Sequence, residues 1–296
     1  MSSKLYRDFD QAELDVQYNA RNTVSLALFQ SLMQQYADQS REARATLPCA
    51  LDVSYGDHPD EAMDIFPAAN GSTVGPAPVF VYIHGGYWRA LSKNESSSMA
   101  PAYTKAGAVY VALNYSLAPG ASLDRIVDQC RRAMAWVYRN IEKFGGDPER
   151  IYIGGSSAGG HLCGMMLASG WHVDAGVPDN LTKGALLLSG LYDLTPIPHT
   201  HINEWMHLSA AEAARNSPAQ YAPAYGCPII VTYGDNETDE FKRQSMDYLA
   251  QWHALGYPGE YLRVPGLNHF DLVLECGMPD SPLAQGMFSM MGLTRD

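Results

Sequence analysis

Gly155-Ser156-Ser157-Ala158-Gly159 constrains this chain more than any other segment. It follows a strand-like apolar run, Arg150-Ile151-Tyr152-Ile153-Gly154, and opens a helix-like stretch, Gly160-His161-Leu162-Cys163-Gly164-Met165-Met166-Leu167-Ala168. A strand that turns directly into a helix through G-x-S-x-G is the setting of a nucleophile elbow. The glycines permit the strained turn, which lifts a serine oxygen clear of the sheet at a helix N-terminus. Ser156 is the rival serine, but counting from it puts Ala158 where the second glycine belongs. Ser157 is the expected nucleophile.

A second motif lies upstream. His84-Gly85-Gly86-Tyr87-Trp88 ends another apolar run, Pro78-Val79-Phe80-Val81-Tyr82-Ile83. A strand that delivers an HGG loop ahead of the elbow supplies the second oxyanion donor in lipase- and esterase-type hydrolases. The expected oxyanion hole is Gly85, Gly86, Tyr87 and Ala158, with the backbone N–H groups of Gly86, Tyr87 and Ala158 as donors.

The rest of the chain repeats one pattern. Strand-like runs fall at Val79–Ile83, Ala108–Leu113, Ile151–Gly154, Ala185–Leu188, Ile229–Tyr233 and Glu260–Val264. Helix-period stretches separate several of them. In Leu123–Phe144, residues Ile126, Cys130, Ala133, Met134, Val137 and Ile141 recur near i, i+3, i+4 spacing, and Gly145-Gly146-Asp147-Pro148 stops the run. Short strands apolar on both faces predict a single α/β domain over 1–296, with a mostly parallel central sheet and helices on both faces. With 296 residues, 46% of them hydrophobic, the chain is long enough for such a core.

Two segments break the pattern. Residues 1–48 read as a helical arm, with Phe9, Leu14, Tyr18, Phe29 and Met33 among its apolar positions, and 192–222 reads as a lid-like insertion. Both are expected to cover the mouth of the site, as a small cap; for 1–48, plain packing against the sheet edge is the alternative.

A net charge of −12 argues against a nucleic-acid or anionic-membrane partner. The first residues, Met1 to Asp8, lack the apolar stretch of a secretory signal, and no run approaches the length of a membrane span. Five scattered cysteines without paired metal spacing fit reduced thiols in a cytoplasmic enzyme. The oligomeric state, a homodimer included, is left open.

The general base should follow the last long strand, since the chain order is Ser, then Asp or Glu, then His. His253 and His269 are the candidates. His253 sits in the amphipathic run Asp239–Leu255 and reads as a surface helix residue. His269 follows a strand and the loop Pro265-Gly266-Leu267-Asn268, where a loop-borne base belongs. Carboxylates crowd the segment Gly234-Asp235-Asn236-Glu237-Thr238-Asp239-Glu240. Glu237 suits the role of triad acid; Asp235 is the alternative, and Asp239 could serve as an N-cap.

The other histidines read as structural. His199 and His201 form an H-x-H pair without a third ligand at zinc spacing, His161 reads as a buried helix residue, and His84 as a brace for its loop. No metal and no cofactor is expected.

The sequence resembles the serine-type kynurenine formamidase (arylformamidase) branch of the α/β-hydrolases, with features shared by hormone-sensitive-lipase-type esterases. The resemblance runs from about Tyr18 to about Val273. It rests on Tyr18-Asn19-Ala20-Arg21, Asp64-Ile65-Phe66-Pro67, the HGGYW loop, Tyr115-Ser116-Leu117-Ala118-Pro119, Gly155–His161, Ser189-Gly190-Leu191-Tyr192-Asp193-Leu194, Asn216-Ser217-Pro218 and Asp239-Glu240-Phe241-Lys242-Arg243-Gln244-Ser245. It implies the α/β-hydrolase fold, Ser157 as nucleophile, His269 as base and Glu237 as acid. Many members carry aspartate at that last position, so glutamate is a departure.

The resemblance also implies a small acyl substrate, an ester or an aryl formamide, cleaved through an acyl-enzyme. Trp88, Trp171 and Trp205, with Tyr87, are expected either to wall an aromatic leaving-group pocket or to fill core. A non-catalytic binding protein on the same fold is the alternative from another class.

Overall fold

The computed structural model describes residues 4–69 and 75–293. Eight strands form one sheet: β1 (Ala50–Ser54), β2 (Ala62–Phe66), β3 (Ala77–Ile83), β4 (Val109–Leu113), β5 (Gly146–Ser156), β6 (Thr182–Leu188), β7 (Ile229–Thr232) and β8 (Gly259–Tyr261). Their order across the sheet is β1-β2-β4-β3-β5-β6-β7-β8. The β1–β2 and β2–β4 pairings are antiparallel, and every other pairing is parallel.

The alternation of side chains explains why both faces are covered. Val79, Val81 and Ile83 of β3 enter one core with Val109, Val111, Ile151, Ile153, Leu187 and Val231. Phe80 and Tyr82 of the same strand point to the other core, with Tyr110, Tyr152, Leu186 and Ile230. Successive residues of a strand face opposite sides, so a run apolar at every position needs a layer on each. Each such side chain stabilises the fold by about 1.5–3 kcal/mol when fully buried.

The helix expected at Leu123–Phe144 runs from Leu123 to Asn140 and tightens into a 3₁₀ turn over Ile141–Phe144. Ser122 caps its start by accepting from the Arg125 N–H, and Gly145 ends the turn with φ 78°. That left-handed backbone is the reason for a glycine there.

Three expectations need correction. The last strand is Gly259–Tyr261 rather than Glu260–Val264, because its one neighbour, β7, ends at Thr232 and Tyr261 is the last residue with a partner. Strands β1 and β2 were not foreseen. The run of β2 is interrupted by Asp64, a fully buried residue that pairs with Arg44 at 3.0 Å and Lys93 at 2.9 Å. Thr238, not Asp239, is the N-cap of helix Asp239–Ala254.

The arm holds helices Gln11–Gln17 and Leu26–Thr46, joined through a short turn at Ala20–Thr23. It is anchored through Tyr18, which is fully buried. The Tyr18 hydroxyl donates to Glu240 Oε2 at 2.8 Å and accepts from Gln244 Nε2 at 2.9 Å. Gln244 Oε1 in turn accepts from the backbone N–H groups of Tyr192 and Asp193. Helix Asp239–Ala254 thus ties the arm to the start of the 192–222 segment. Among the described residues no helix is long and apolar enough to cross a membrane. All five cysteines are free, and only Cys49 is not buried.

Candidate active site

Ser157 stands between β5 and helix Ala158–Leu167 with φ 58° and ψ −117°. A non-glycine residue in that region costs of order 1–3 kcal/mol and persists only where its surroundings over-determine it. Here its N–H donates to the Leu188 carbonyl at 2.8 Å, and the glycines around it are in near-contact with neighbouring backbone. A Cβ on Gly159 would lie 2.0 Å from the Ile83 carbonyl oxygen, and one on Gly85 would lie 2.6 Å from that of Ser156. The elbow glycines therefore let the turn and the HGG loop approach each other closely.

The loop after β3 is also strained. Gly86, Tyr87 and Trp88 have φ of 96°, 50° and 57°. Among the described residues, the Gly86 and Tyr87 N–H groups donate to no backbone carbonyl. The Ala158 N–H opens a helix and has no intrahelical acceptor. Two bonds to other segments hold this loop: the loop's own Tyr87 hydroxyl donates to the Tyr18 carbonyl at 2.6 Å, and Trp205 Nε1 donates to the Tyr87 carbonyl at 3.2 Å. His84 braces it from below. Its ring stacks on Tyr115 at 4.1 Å, and burial pushes its pKa down to about 4, so it stays neutral.

His269 and Glu237 meet directly. His269 Nδ1 lies 2.7 Å from Glu237 Oε2, and both residues are buried. The other carboxylate oxygen, Oε1, accepts from Ser189 Oγ and from the Gly234 N–H, each at 2.5 Å. Asp235, the alternative acid, faces elsewhere: it pairs with Arg263 at 3.3 Å and accepts from the Gly266 N–H at 3.0 Å. The imidazole of His269 is held edge-to-face by Phe241 at 4.9 Å and Phe270 at 5.1 Å.

Ser157, His269, Gly85, Gly86 and Tyr87 all line one cavity of about 910 Å³. Both irregular segments contribute to its walls: Tyr18, Arg21, Phe29 and Tyr36 from the arm, and His201 and Trp205 from 192–222. Of the three tryptophans, Trp205 alone lines this cavity. Trp88 is fully buried and donates to His161, so it fills core. Trp171 donates to the Met166 carbonyl and lines a separate cleft with Arg131 and Arg139. Trp88 turns its ring inward against His161 of the helix after Ser157, and Trp171 sits beside Arg131 of helix Leu123–Asn140.

Ser189 was not singled out by the sequence as part of the site. It opens the motif Ser189-Gly190-Leu191-Tyr192-Asp193-Leu194 just past β6, where it takes φ 48° and its hydroxyl donates to Glu237. His201 is bonded to Asp15 of the arm at 3.1 Å, and among the described residues no group of three or more His, Cys, Asp or Glu could hold a metal ion. His253 is exposed and lies 2.9 Å from the Gly259 carbonyl through Nε2.

A mostly parallel sheet that turns through a strained serine into a helix, with a carboxylate-bound histidine in the same buried site, defines an α/β-hydrolase. Residues 63–186 match the BD-FAE family model. The chain is 32% identical to kynurenine formamidase of Salmo salar, over 97% of this chain and 98% of that protein. It is 33% identical to kynurenine formamidase of Danio rerio, over 86% and 85%. The chain belongs to the kynurenine formamidase family, and it is a hydrolase of ester or amide bonds. Among solved structures, a candidate thioesterase from Silicibacter sp. TM1040 superposes with a TM-score of 0.77 at 25% identity, covering 92% of this chain and 97% of that one.

Proposed function

We propose that Ser157, Glu237 and His269 act as a catalytic triad that cleaves aryl formamides and small esters through an acyl-enzyme. The observation that carries this reading is the 2.7 Å contact between His269 Nδ1 and Glu237 Oε2, made by a carboxylate whose second oxygen is already bonded by Ser189 and Gly234. That arrangement fixes the imidazole tautomer, leaves Nε2 free to take the Ser157 proton, and stabilises the imidazolium that forms.

Ser157 Oγ attacks the acyl carbonyl while His269 accepts its proton. The amides of Gly86, Tyr87 and Ala158, with Gly85 shaping the loop, receive the oxyanion; one such donor contributes roughly 3 kcal/mol to transition-state stabilisation. His269 then protonates the departing amine or alcohol, and water repeats the sequence on the acyl-enzyme. An amine leaves well only when protonated, so formamide cleavage depends most on this last placement.

Phe29, Tyr36, Tyr87, Trp205 and Phe270 give the cavity aromatic walls, which suits an aromatic leaving group. The arm and the 192–222 segment serve as its cap. The free cysteines fit a reducing cytoplasm, and the charge of −12 fits a small-molecule substrate rather than a nucleic acid.

The test is kcat/KM for N-formylkynurenine beside that for p-nitrophenyl acetate. A formamide value of about 10⁴ M⁻¹s⁻¹ or more is expected. Rapid ester cleavage with negligible formamide turnover would keep the triad and sink the formamidase reading.

A further inference from the structure

His161 has no part in the reaction as written, yet it sits between three pieces of the site. Trp88, at the end of the HGGYW loop, donates its indole N–H to His161 Nδ1 at 3.2 Å. The other ring nitrogen, Nε2, lies 2.7 Å from the carbonyl oxygen of Asn216, near the end of the 192–222 segment. An indole N–H can only donate and a carbonyl can only accept, so the imidazole must be the neutral tautomer with its proton on Nε2. Trp88 and His161 are both fully buried, and their rings meet edge-to-face at 5.1 Å and 89°. Burial also pushes the His161 pKa down to about 4, so Nδ1 stays an acceptor at neutral pH.

His161 is rigidly tied to the nucleophile. Its N–H donates to the Ser157 carbonyl at 3.0 Å, one turn along the same helix. The loop that Trp88 belongs to needs holding, since Tyr87 and Trp88 both carry left-handed backbone. The oxyanion donors come from both parts: Gly86 and Tyr87 from the loop, Ala158 from the helix.

We propose that His161 is a positioning residue: through Trp88 it sets the spacing between the Gly86 and Tyr87 amides and the Ala158 amide, and through Asn216 it ties that spacing to the 192–222 segment. The inference rests on the oxyanion-hole reading given above. A displacement of about 1 Å in such a constellation costs roughly 100-fold in rate.

The variant Trp88→Phe removes one N–H and keeps most of the ring; His161→Phe, His161→Asn and the Trp88→Phe/His161→Phe double variant complete the set. The readouts are kcat and KM for p-nitrophenyl acetate, affinity for phenylboronic acid (which forms a tetrahedral adduct on an active-site serine), and Tm. Trp88→Phe is expected to lower kcat about 10- to 100-fold with KM within about threefold, and to weaken boronate binding by a similar factor. His161→Asn, which keeps an acceptor near the Nδ1 position, should recover part of the kcat lost in His161→Phe. The double variant should lose little more than the worse single one.

Full kcat in Trp88→Phe, or fully additive losses, would overturn the proposal, as would a fall in Tm with kcat retained. Ser157→Ala separates this from the larger reading. If it kept turnover, the triad would fail; if it lost turnover while Trp88→Phe kept full kcat, the positioning role alone would fail.

Discussion

The strand ends and the two irregular segments, the arm and 192–222, line the same cavity around Ser157 and are held in place in opposite ways. At the strand ends the work is done by backbone: Ser157, Tyr87, Trp88 and Ser189 all take positive φ, and Gly85 and Gly159 admit carbonyls that no side chain could share space with. In the arm and 192–222 it is done by side chains: Tyr18 with Glu240 and Gln244, His201 with Asp15, Trp205 with Tyr87. Backbone strain fixes atoms within tight limits and tolerates little substitution.

The largest break should come at an elbow glycine. In Gly159→Ala the new methyl would meet the Ile83 carbonyl at 2.0 Å, so the turn must open. Loss of detectable p-nitrophenyl acetate cleavage is expected, and a soluble variant with native rates would contradict the strand-end half of the comparison. Glu237→Gln keeps the shape and removes the charge opposite the forming imidazolium. A fall in kcat of about 10³- to 10⁴-fold is expected, with KM nearly unchanged.

A stability measurement comes next. His84 and His161 are held at a pKa of about 4 by burial, below the ordinary value of about 6.5 for an unfolded chain. Between those values the unfolded chain binds protons that the folded one refuses. Stability should therefore be intact above pH 6.5 and fall as the pH drops toward 4, by up to roughly 3 kcal/mol per histidine. A Tm series across that window should show the loss, and His161→Phe should remove about half of it, the His84 share remaining.

In the arm, Tyr18→Phe removes a buried hydrogen bond to a carboxylate, worth about 1.5–3 kcal/mol. Urea unfolding should show that loss, with KM rising more than kcat falls, because Tyr18 lines the cavity wall and its backbone carbonyl, which Tyr87 uses, is kept. A larger effect on kcat would place the arm closer to the chemistry than its contacts suggest. The smallest effect belongs to Asp235→Asn: its contacts with Arg263 and Gly266 are exposed, and kcat/KM should stay within about twofold.

How legible this was in the sequence follows the same division. The turn that carries Ser157 and the HGG loop were legible as turns because strained backbone needs glycines and glycines show in a sequence, whereas His269 stands out by its place in a loop after the last strand. The parallel core could be read because Val79–Ile83 and Val109–Leu113 are apolar at every position. Strand β2 could not, because a buried Asp64 breaks its run and is compensated by Arg44 and Lys93 from other segments. The sequence favours Glu237 over Asp235 but leaves both open, and what divides them in the fold is that Glu237 turns inward to His269 while Asp235 turns out to Arg263. Ser189 and the Trp88–His161–Asn216 chain were hidden for a related reason: a hydroxyl or imidazole in an apolar stretch says nothing of its partner across |i−j| of 48 or 73.

The outer strands of the sheet have a consequence for how molecules of this chain meet. Strand β8 has only three residues, and β1 has a register irregularity between Ala50 and Val53, with Asp52 at φ 55° and engaged by Lys93. Neither border offers the long, flat row of free amides and carbonyls that templates sheet-to-sheet growth. Concentrated or partly unfolded samples should thus resist stacking through these borders, and any self-association would have to use helical faces instead.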